Sequence, residues 1–198
     1  DAAPGGINAR FAWTVAGGDG AGQAVVDVEG GWELAHEDLT AHAATLIAGT
    51  NSSNLLWRSH GTEVLGEICA SDNAVGCVGI APNVASVRVS SIFGSSYAGA
   101  ILSALPGMSF GDVLLIELQT TAMMTPAGDP TYGPIEVVDI NYEAIRLATA
   151  LGIVVVEAGG NGTNNGGTPA VDLDAYTNAG GQRILWRDPA NADFRDSG

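Results

Sequence analysis

Short apolar runs alternate with segments of helical periodicity, and this alternation constrains the fold more than any other feature of the sequence. The first run, Gln23–Val28, is almost continuously apolar, as in a strand that is buried on both faces of a sheet. Strands that alternate with helices predict a parallel α/β sheet with right-handed crossovers. The predicted strands cover residues 23–28, 85–90, 112–118 and 153–157, and the predicted helices cover 59–70, 96–105 and 137–151. Ser59 is the expected N-cap of the first helix, and Gly66 within that helix suggests that another backbone packs close to it. Residues 120–134, with three prolines and several Thr and Gly, are expected to form a surface loop.

Length and composition predict one acidic domain. A chain of 198 residues without a linker or an internal repeat fits a single domain. We expect residues 1–22 to form an arm that docks onto the core through Phe11, Trp13 and Val15. The formal charge of −15 argues against nucleic acid or an anionic membrane as a partner, because phosphate binding needs clustered Lys and Arg. No apolar stretch approaches the ~20 residues needed to cross a bilayer.

Three polar residues stand where a parallel α/β sheet places its functional groups. Asp27 is near the end of the first predicted strand, His60 is at the start of a predicted helix, and Asn161 follows the last predicted strand. A Ser-His-Asp hydrolase needs an acid, a general base, an oxyanion donor and a nucleophilic serine, and these residues would supply all but the serine. Taken singly, each has an ordinary alternative: a buried structural acid, a capping or core histidine, and a turn residue.

Five segments carry a family resemblance. They are Val25-Val26-Asp27, His36-Glu37-Asp38-Leu39, His60-Gly61-Thr62-Glu63-Val64-Leu65-Gly66, the loop Asn73–Pro82, and the strand that runs into Gly160-Asn161-Gly162. In this order they resemble the subtilisin-like serine proteases, or subtilases. Two departures lie in the second segment: about one extra residue separates it from Asp27, and Glu37 replaces the proline of the family's His-Pro-Asp-Leu.

The resemblance implies a fold and a reaction. The fold is a subtilisin-like parallel sheet with helices on both faces, incomplete in this chain. The reaction is peptide-bond hydrolysis by a serine nucleophile, with Asp27 orienting His60 and Asn161 donating its amide to the oxyanion. The family's Gly-Thr-Ser nucleophile segment does not occur in the 198 residues.

The serine that follows Asn161 in this sequence is Ser197, in Asp196-Ser197-Gly198. This motif resembles the nucleophile segment of trypsin-like enzymes, but those enzymes place His before Asp on β-barrels, so we interpret Ser197 as a loop or cleavage-site residue. We therefore expect a docked C-terminal fragment of the same precursor to supply the serine, and this chain alone to be inactive. The rival hypothesis is a non-catalytic subtilase-like domain that binds peptides or a partner protein.

Two segments are candidates for substrate binding. Glu117-Leu118-Gln119 stands where the family usually has Ser-Leu-Gly. A carboxylate there would favour a basic side chain in the specificity pocket; alternatively, Glu117 faces solvent or pairs with an arginine. Ser95-Ser96-Tyr97 is either part of a strand that pairs with the extended substrate backbone or a plain helix cap.

The resemblance also implies a Ca²⁺ site with side-chain oxygens from Asp38 and Asn73, since hard oxygen ligands suit this ion. Both residue types are also ordinary turn formers. Cys69 and Cys77 could close a disulfide in an oxidising compartment or remain two buried thiols, and we favour the disulfide. We expect a secreted protein whose mature form begins at Asp1 after loss of a propeptide.

Overall fold

A parallel sheet forms the centre of the computed structural model, which describes residues 6–162 and 175–182. Ser197 lies outside these residues. In chain order the strands are β1 (Ala24–Glu29), β2 (Thr45–Ala48), β3 (Ser86–Ser91), β4 (Val113–Ile116), β5 (Thr120–Met124), β6 (Pro130–Gly133) and β7 (Val154–Glu157), and the α-helices are α1 (Ala9–Ala12), α2 (Leu55–Cys69), α3 (Tyr97–Ala104) and α4 (Asp139–Ala150). Short 3-10 helices cover Thr40–His42 and Ile135–Val137.

Among the described residues, five strands form the parallel sheet in the order β2-β3-β1-β4-β7. The four predicted strands are present, whereas β2 lies in a stretch without a clear strand pattern. Residues 120–134, expected to be a surface loop, contain an antiparallel hairpin of β5 and β6. β1 lies in the middle of the sheet and pairs with β3 and β4, so its carboxyl end lies between two other strand ends.

Helices cover both faces of the sheet, as predicted. On one face, α3 and α4 pack against Val26 and Val28 of β1. On the other face, Leu65 and Cys69 of α2 pack against Val25 and Val89. Since side chains alternate along a strand, Asp27 and Glu29 share the α2 side with Val25. None of the described helices is long and apolar enough to span a membrane.

Helix α2 begins earlier than its sequence suggests. Ser59 was expected to cap it, but the N-cap is Asn54, whose side-chain oxygen accepts a hydrogen bond from the Leu56 amide at 2.8 Å. His60 is therefore in the second turn of the helix and not at its first residue. The buried positions of α2, Gly61, Leu65 and Cys69, recur every four residues and form the stripe that faces the sheet.

The N-terminal arm meets the rest of the chain through one side chain of the three expected. Trp13 Nε1 donates a hydrogen bond of 2.7 Å to the Ile80 carbonyl. Phe11 and Val15 are 65% and 55% exposed, so the prediction that they pack onto the core is wrong.

The close contact between α2 and the sheet is made at Gly61. A Cβ added there would overlap the Gly31 carbonyl oxygen and lie 2.7 Å from Glu29 Oε2. We expected a neighbouring backbone at Gly66, but nothing lies within 4 Å of a Cβ built there. The helix thus approaches the turn after β1 at the residue that follows His60.

These two glycines give a matched pair of variants within one helix. We expect Gly61→Ala to lower the free energy of unfolding by about 1–3 kcal/mol, because the methyl group has no space. We expect Gly66→Ala to raise it by up to about 1 kcal/mol, because alanine favours the helix and the site is open. Urea denaturation measures both; a Gly61→Ala protein as stable as Gly66→Ala would contradict the close contact.

Candidate active site

A cleft of about 680 Å³ lies beside the carboxyl ends of β4 and β7 and is lined by residues of α2 and α3. It contains six of the nine catalytic and substrate-binding residues that were predicted from the sequence. His60 comes from α2, Tyr97 from the start of α3, and the other residues follow the two strands. The cleft thus brings together His60, Tyr97, Glu117, Leu118, Gln119 and Asn161.

His60 is held by a buried carboxylate. Its Nδ1 lies 2.6 Å from Glu29 Oε1, and Glu29 has no exposed side-chain surface. The His60 side chain is 54% exposed at the cleft. With Nδ1 donating to the carboxylate, Nε2 is the ring nitrogen that can accept a proton. This is the arrangement of a general base with its orienting acid.

The acid that contacts His60 is Glu29 and not Asp27, which corrects the sequence-based assignment. Asp27 lies inside β1, paired with Val89 on one side and Leu115 on the other. Its Oδ2 accepts a hydrogen bond of 2.6 Å from the buried Trp32 indole. Glu29 is the last residue of β1 and its side chain is one methylene longer, so its carboxylate reaches the helix.

One signal in the sequence is compatible with this correction. Positions 27 and 29 lie on the same face of a strand, so alternation allows either acid to face α2. The interval to His36 is about one residue too long for the family pattern when counted from Asp27 and about one too short when counted from Glu29, so spacing alone does not choose between the two acids. The glutamate was overlooked because the family motif has an aspartate.

Asp27 and Glu29, the two buried acids near His60, are costly to ionise. Burial, together with the charge of Glu117, raises the pKa of Glu29 to about 8. Burial and the charge of Glu29 raise the pKa of Asp27. A positive charge on His60 would offset this cost, and a general base acquires that charge when it takes a proton.

The predicted substrate-binding residues differ in whether they line the cleft. Ser96 is the N-cap of α3, where its Oγ accepts a hydrogen bond of 3.0 Å from the Gly99 amide, and Tyr97 begins the helix. The segment 95–97 is therefore a helix cap and not a strand. Ser95 is exposed and is not among the residues that line the cleft. Glu117 is half-buried and lines the cleft.

The Asp38 carboxylate accepts hydrogen bonds from the loop between Asn73 and Cys77 and holds it in place. Its Oδ1 accepts from Asn73 Nδ2 at 3.2 Å, and its Oδ2 accepts from the Cys77 amide at 3.0 Å. Asn73 Oδ1 in turn accepts from the Val75 amide at 2.8 Å. The described part of the chain contains no group of three or more His, Cys, Asp or Glu side chains that could hold a metal ion. These side chains close a turn through hydrogen bonds, and the Ca²⁺ site that the resemblance implied stays a prediction.

Cys69 and Cys77 are both free, so the predicted disulfide is wrong. Cys69 is fully buried among the residues between α2 and the sheet, and burial raises the pKa of its thiol to about 12. Cys77 is exposed, and its Sγ lies 3.6 Å from Asp38 Oδ2. The two thiols occupy different environments, one in the core and one against the Asp38 carboxylate.

Known proteins resemble this chain in both sequence and fold. It is 34% identical over 121 residues to alkaline elastase YaB from Bacillus sp. (strain YaB), covering 61% of this chain and 28% of that protein. It is 28% identical over 156 residues to subtilisin DY from Bacillus licheniformis, covering 79% of this chain and 53% of that protein. No protein-family model matches the chain.

A solved structure shows the same fold. The subtilisin-like protease Apa1 from the Antarctic psychrotroph Pseudoalteromonas sp. AS-11 superposes with a TM-score of 0.52 at 20% identity, covering 72% of this chain and 32% of that one. The fold is therefore an incomplete α/β sheet of the subtilisin-like type. The predicted resemblance to the subtilisin-like serine proteases is confirmed, and the chain spans about half or less of the length of these relatives.

Thiol counting tests the correction at the cysteines. In the folded protein we expect one thiol, Cys77, to react with Ellman's reagent, while Cys69 stays protected by burial. After unfolding in guanidinium without reductant, both should react. The Cys77→Ser protein should show no reactive thiol when folded. No reactive thiol in the unfolded wild-type protein would instead indicate the disulfide.

Proposed function

We propose that this chain is the N-terminal part of a subtilisin-type serine endopeptidase, with His60 as the general base and Glu29 as its acid partner. The observation that carries the proposal is the 2.6 Å contact between His60 Nδ1 and Glu29 Oε1 at a cleft that also contains Asn161. The similar proteins named above are proteases, which supports this reaction class.

The chemistry follows from the two ring nitrogens of His60. Nε2 takes the proton of a serine hydroxyl as the serine oxygen attacks the carbonyl carbon of the substrate peptide. The side-chain amide of Asn161 donates a hydrogen bond to the oxyanion that forms. His60 then gives the proton to the leaving amine as the peptide bond breaks, and water repeats the sequence on the acyl-enzyme. Glu29 stabilises the imidazolium in both steps.

The serine belongs, in this proposal, to a C-terminal fragment of the same precursor that packs onto the sheet. Two observations support such a segment. An apolar cavity of about 310 Å³ lies between α2 and the sheet, lined in part by Ile68, Val113 and Val156. Val154 and Val156 of β7, an edge strand of the described sheet, are 50% and 48% exposed. Because parallel sheets are normally covered on both faces, further chain would bury this surface.

The test uses the complete precursor and the isolated chain. Intact-mass analysis of the native protein should show a companion chain that carries Gly-Thr-Ser. The native protein should hydrolyse a peptide substrate, its His60→Ala variant should not, and residues 1–198 alone should show no activity. Peptide hydrolysis by purified residues 1–198 would contradict the requirement for a second chain.

A non-catalytic domain that binds peptides or a partner protein is the second candidate. It is favoured by one observation: no Ser, Thr or Cys is among the residues that line the described cleft. A native preparation with no companion chain and no hydrolysis, but with peptide bound in the cleft, would support it over the protease.

The remaining proposals, on substrate, location and calcium, rest on the family resemblance. We infer a peptide or protein substrate and an extracellular location. A preference for a basic side chain next to Glu117 stays a prediction. Calcium also stays a prediction, without support from the hydrogen bonds of Asp38 and Asn73.

Substitution of the two acids separates their roles in the complete protein. Glu29→Gln should lower kcat by on the order of 10³ to 10⁴-fold, because the imidazolium loses its partner and the tautomer is no longer fixed. Asp27→Asn keeps an acceptor for the Trp32 indole and should cost about tenfold or less. Steady-state kinetics on one peptide substrate measures both, with circular dichroism as the control for folding. A larger loss for Asp27→Asn than for Glu29→Gln would restore Asp27 as the orienting acid.

A further inference from the structure

The backbone at Asn161 is held by a side chain from the neighbouring strand end. Gln119 follows β4, and its Oε1 accepts a hydrogen bond of 2.9 Å from the backbone amide of Asn161. A main-chain N–H in the loop after β7 is thereby tied to the segment after β4. Both residues line the cleft, so this contact lies within the candidate site.

The hairpin of β5 and β6 holds the same loop on either side of Asn161. Gly160 has a φ of 86°, and a Cβ there would lie 2.6 Å from Gly133 Cα, so this position requires glycine. On the other side, the Gly162 carbonyl accepts a hydrogen bond of 3.2 Å from the Tyr132 amide. Asn161 thus lies between two backbone contacts to β6, and its backbone amide is held by the Gln119 side chain.

One of these restraints depends on a residue that departs from the family pattern, and the others depend on a hairpin that the sequence did not predict. Gln119 replaces a glycine, which could not make a side-chain contact. Residues 120–134 were expected to be a loop, and their pairing as a hairpin is what brings Gly133 and Tyr132 to the segment.

We propose that Gln119, supported by the β5–β6 hairpin, is a positioning residue that holds Asn161 so that its side-chain amide faces the oxyanion. This inference rests on the proposed protease function. A preorganised donor needs no rearrangement as charge develops, which is the main source of oxyanion stabilisation. A neutral amide oxygen at Gln119 suits this task better than a carboxylate, because it adds no negative charge beside the oxyanion.

The test replaces Gln119 in the complete protein. Gln119→Met keeps the length of the side chain and removes the strong acceptor. Gln119→Asn keeps the amide but shortens the side chain by one methylene, which breaks the contact with a smaller change in polarity. Gln182→Met is the matched control, since Gln182 is exposed and lines neither the cleft nor the apolar cavity between α2 and the sheet.

Two readouts are needed. Hydrogen exchange at the Asn161 amide should be about five to ten times faster in both Gln119 variants, the effect expected from losing one hydrogen bond. Their kcat should fall about tenfold with KM within twofold of wild type, because the donor acts on the transition state. The control should match wild type in both.

The outcomes separate the contact from the function. Unchanged exchange in the two Gln119 variants overturns the contact and the inference with it. Faster exchange with unchanged kcat overturns the positioning role while the protease proposal stands. A wild-type protein that hydrolyses no peptide contradicts the proposed function, and the positioning role is then overturned with it, whereas the contact is still decided by exchange alone.

Discussion

The site depends on how closely helix α2 approaches the carboxyl end of β1. Gly61 has no side chain, so the helix backbone lies directly against Gly31 and the carboxylate of Glu29. The residue before it, His60, is thereby placed 2.6 Å from that carboxylate. A packing requirement and the contact between His60 and Glu29 are in this way satisfied at adjacent positions of one helix. A larger residue at position 61 would displace the helix and separate the histidine from its acid.

The sequence predicted the architecture well because strong periodicity dominates it. Four strands and three helices follow from apolar patterns, and their alternation leads to a parallel sheet covered on both faces. The sequence-based prediction failed where tertiary contacts outweigh the local apolar pattern. β2 and the β5–β6 hairpin carry weak strand signals and are stabilised by pairing. Helix α2 begins at Leu55 because the Asn54 side chain, and not Ser59, caps it.

At the candidate site, residues predicted from the sequence line one cleft, but the acid that contacts His60 is Glu29 and not the predicted Asp27. His60, Asn161 and the 117–119 segment come together as expected, because strand ends and the adjoining helix converge at one edge of the sheet. The choice between Asp27 and Glu29 depends on reach from the strand and on the Trp32 indole, which no motif encodes. The disulfide failed for a similar reason, since sequence spacing does not show that Cys69 faces the core.

The cleft is lined by His60, whose Nδ1 lies 2.6 Å from Glu29 Oε1, and by Asn161, and no Ser, Thr or Cys is among its described lining residues. We propose that Glu29 and His60 form half of a serine protease site. The decisive experiment is a crystal structure of the complete protein treated with a serine-directed organophosphonate. We predict phosphorus bonded to a serine outside residues 1–198, with His60 Nε2 facing it and Nδ1 bonded to Glu29. A His60 that bonds Asp27 instead, or a protein that the reagent leaves unmodified, would contradict the account.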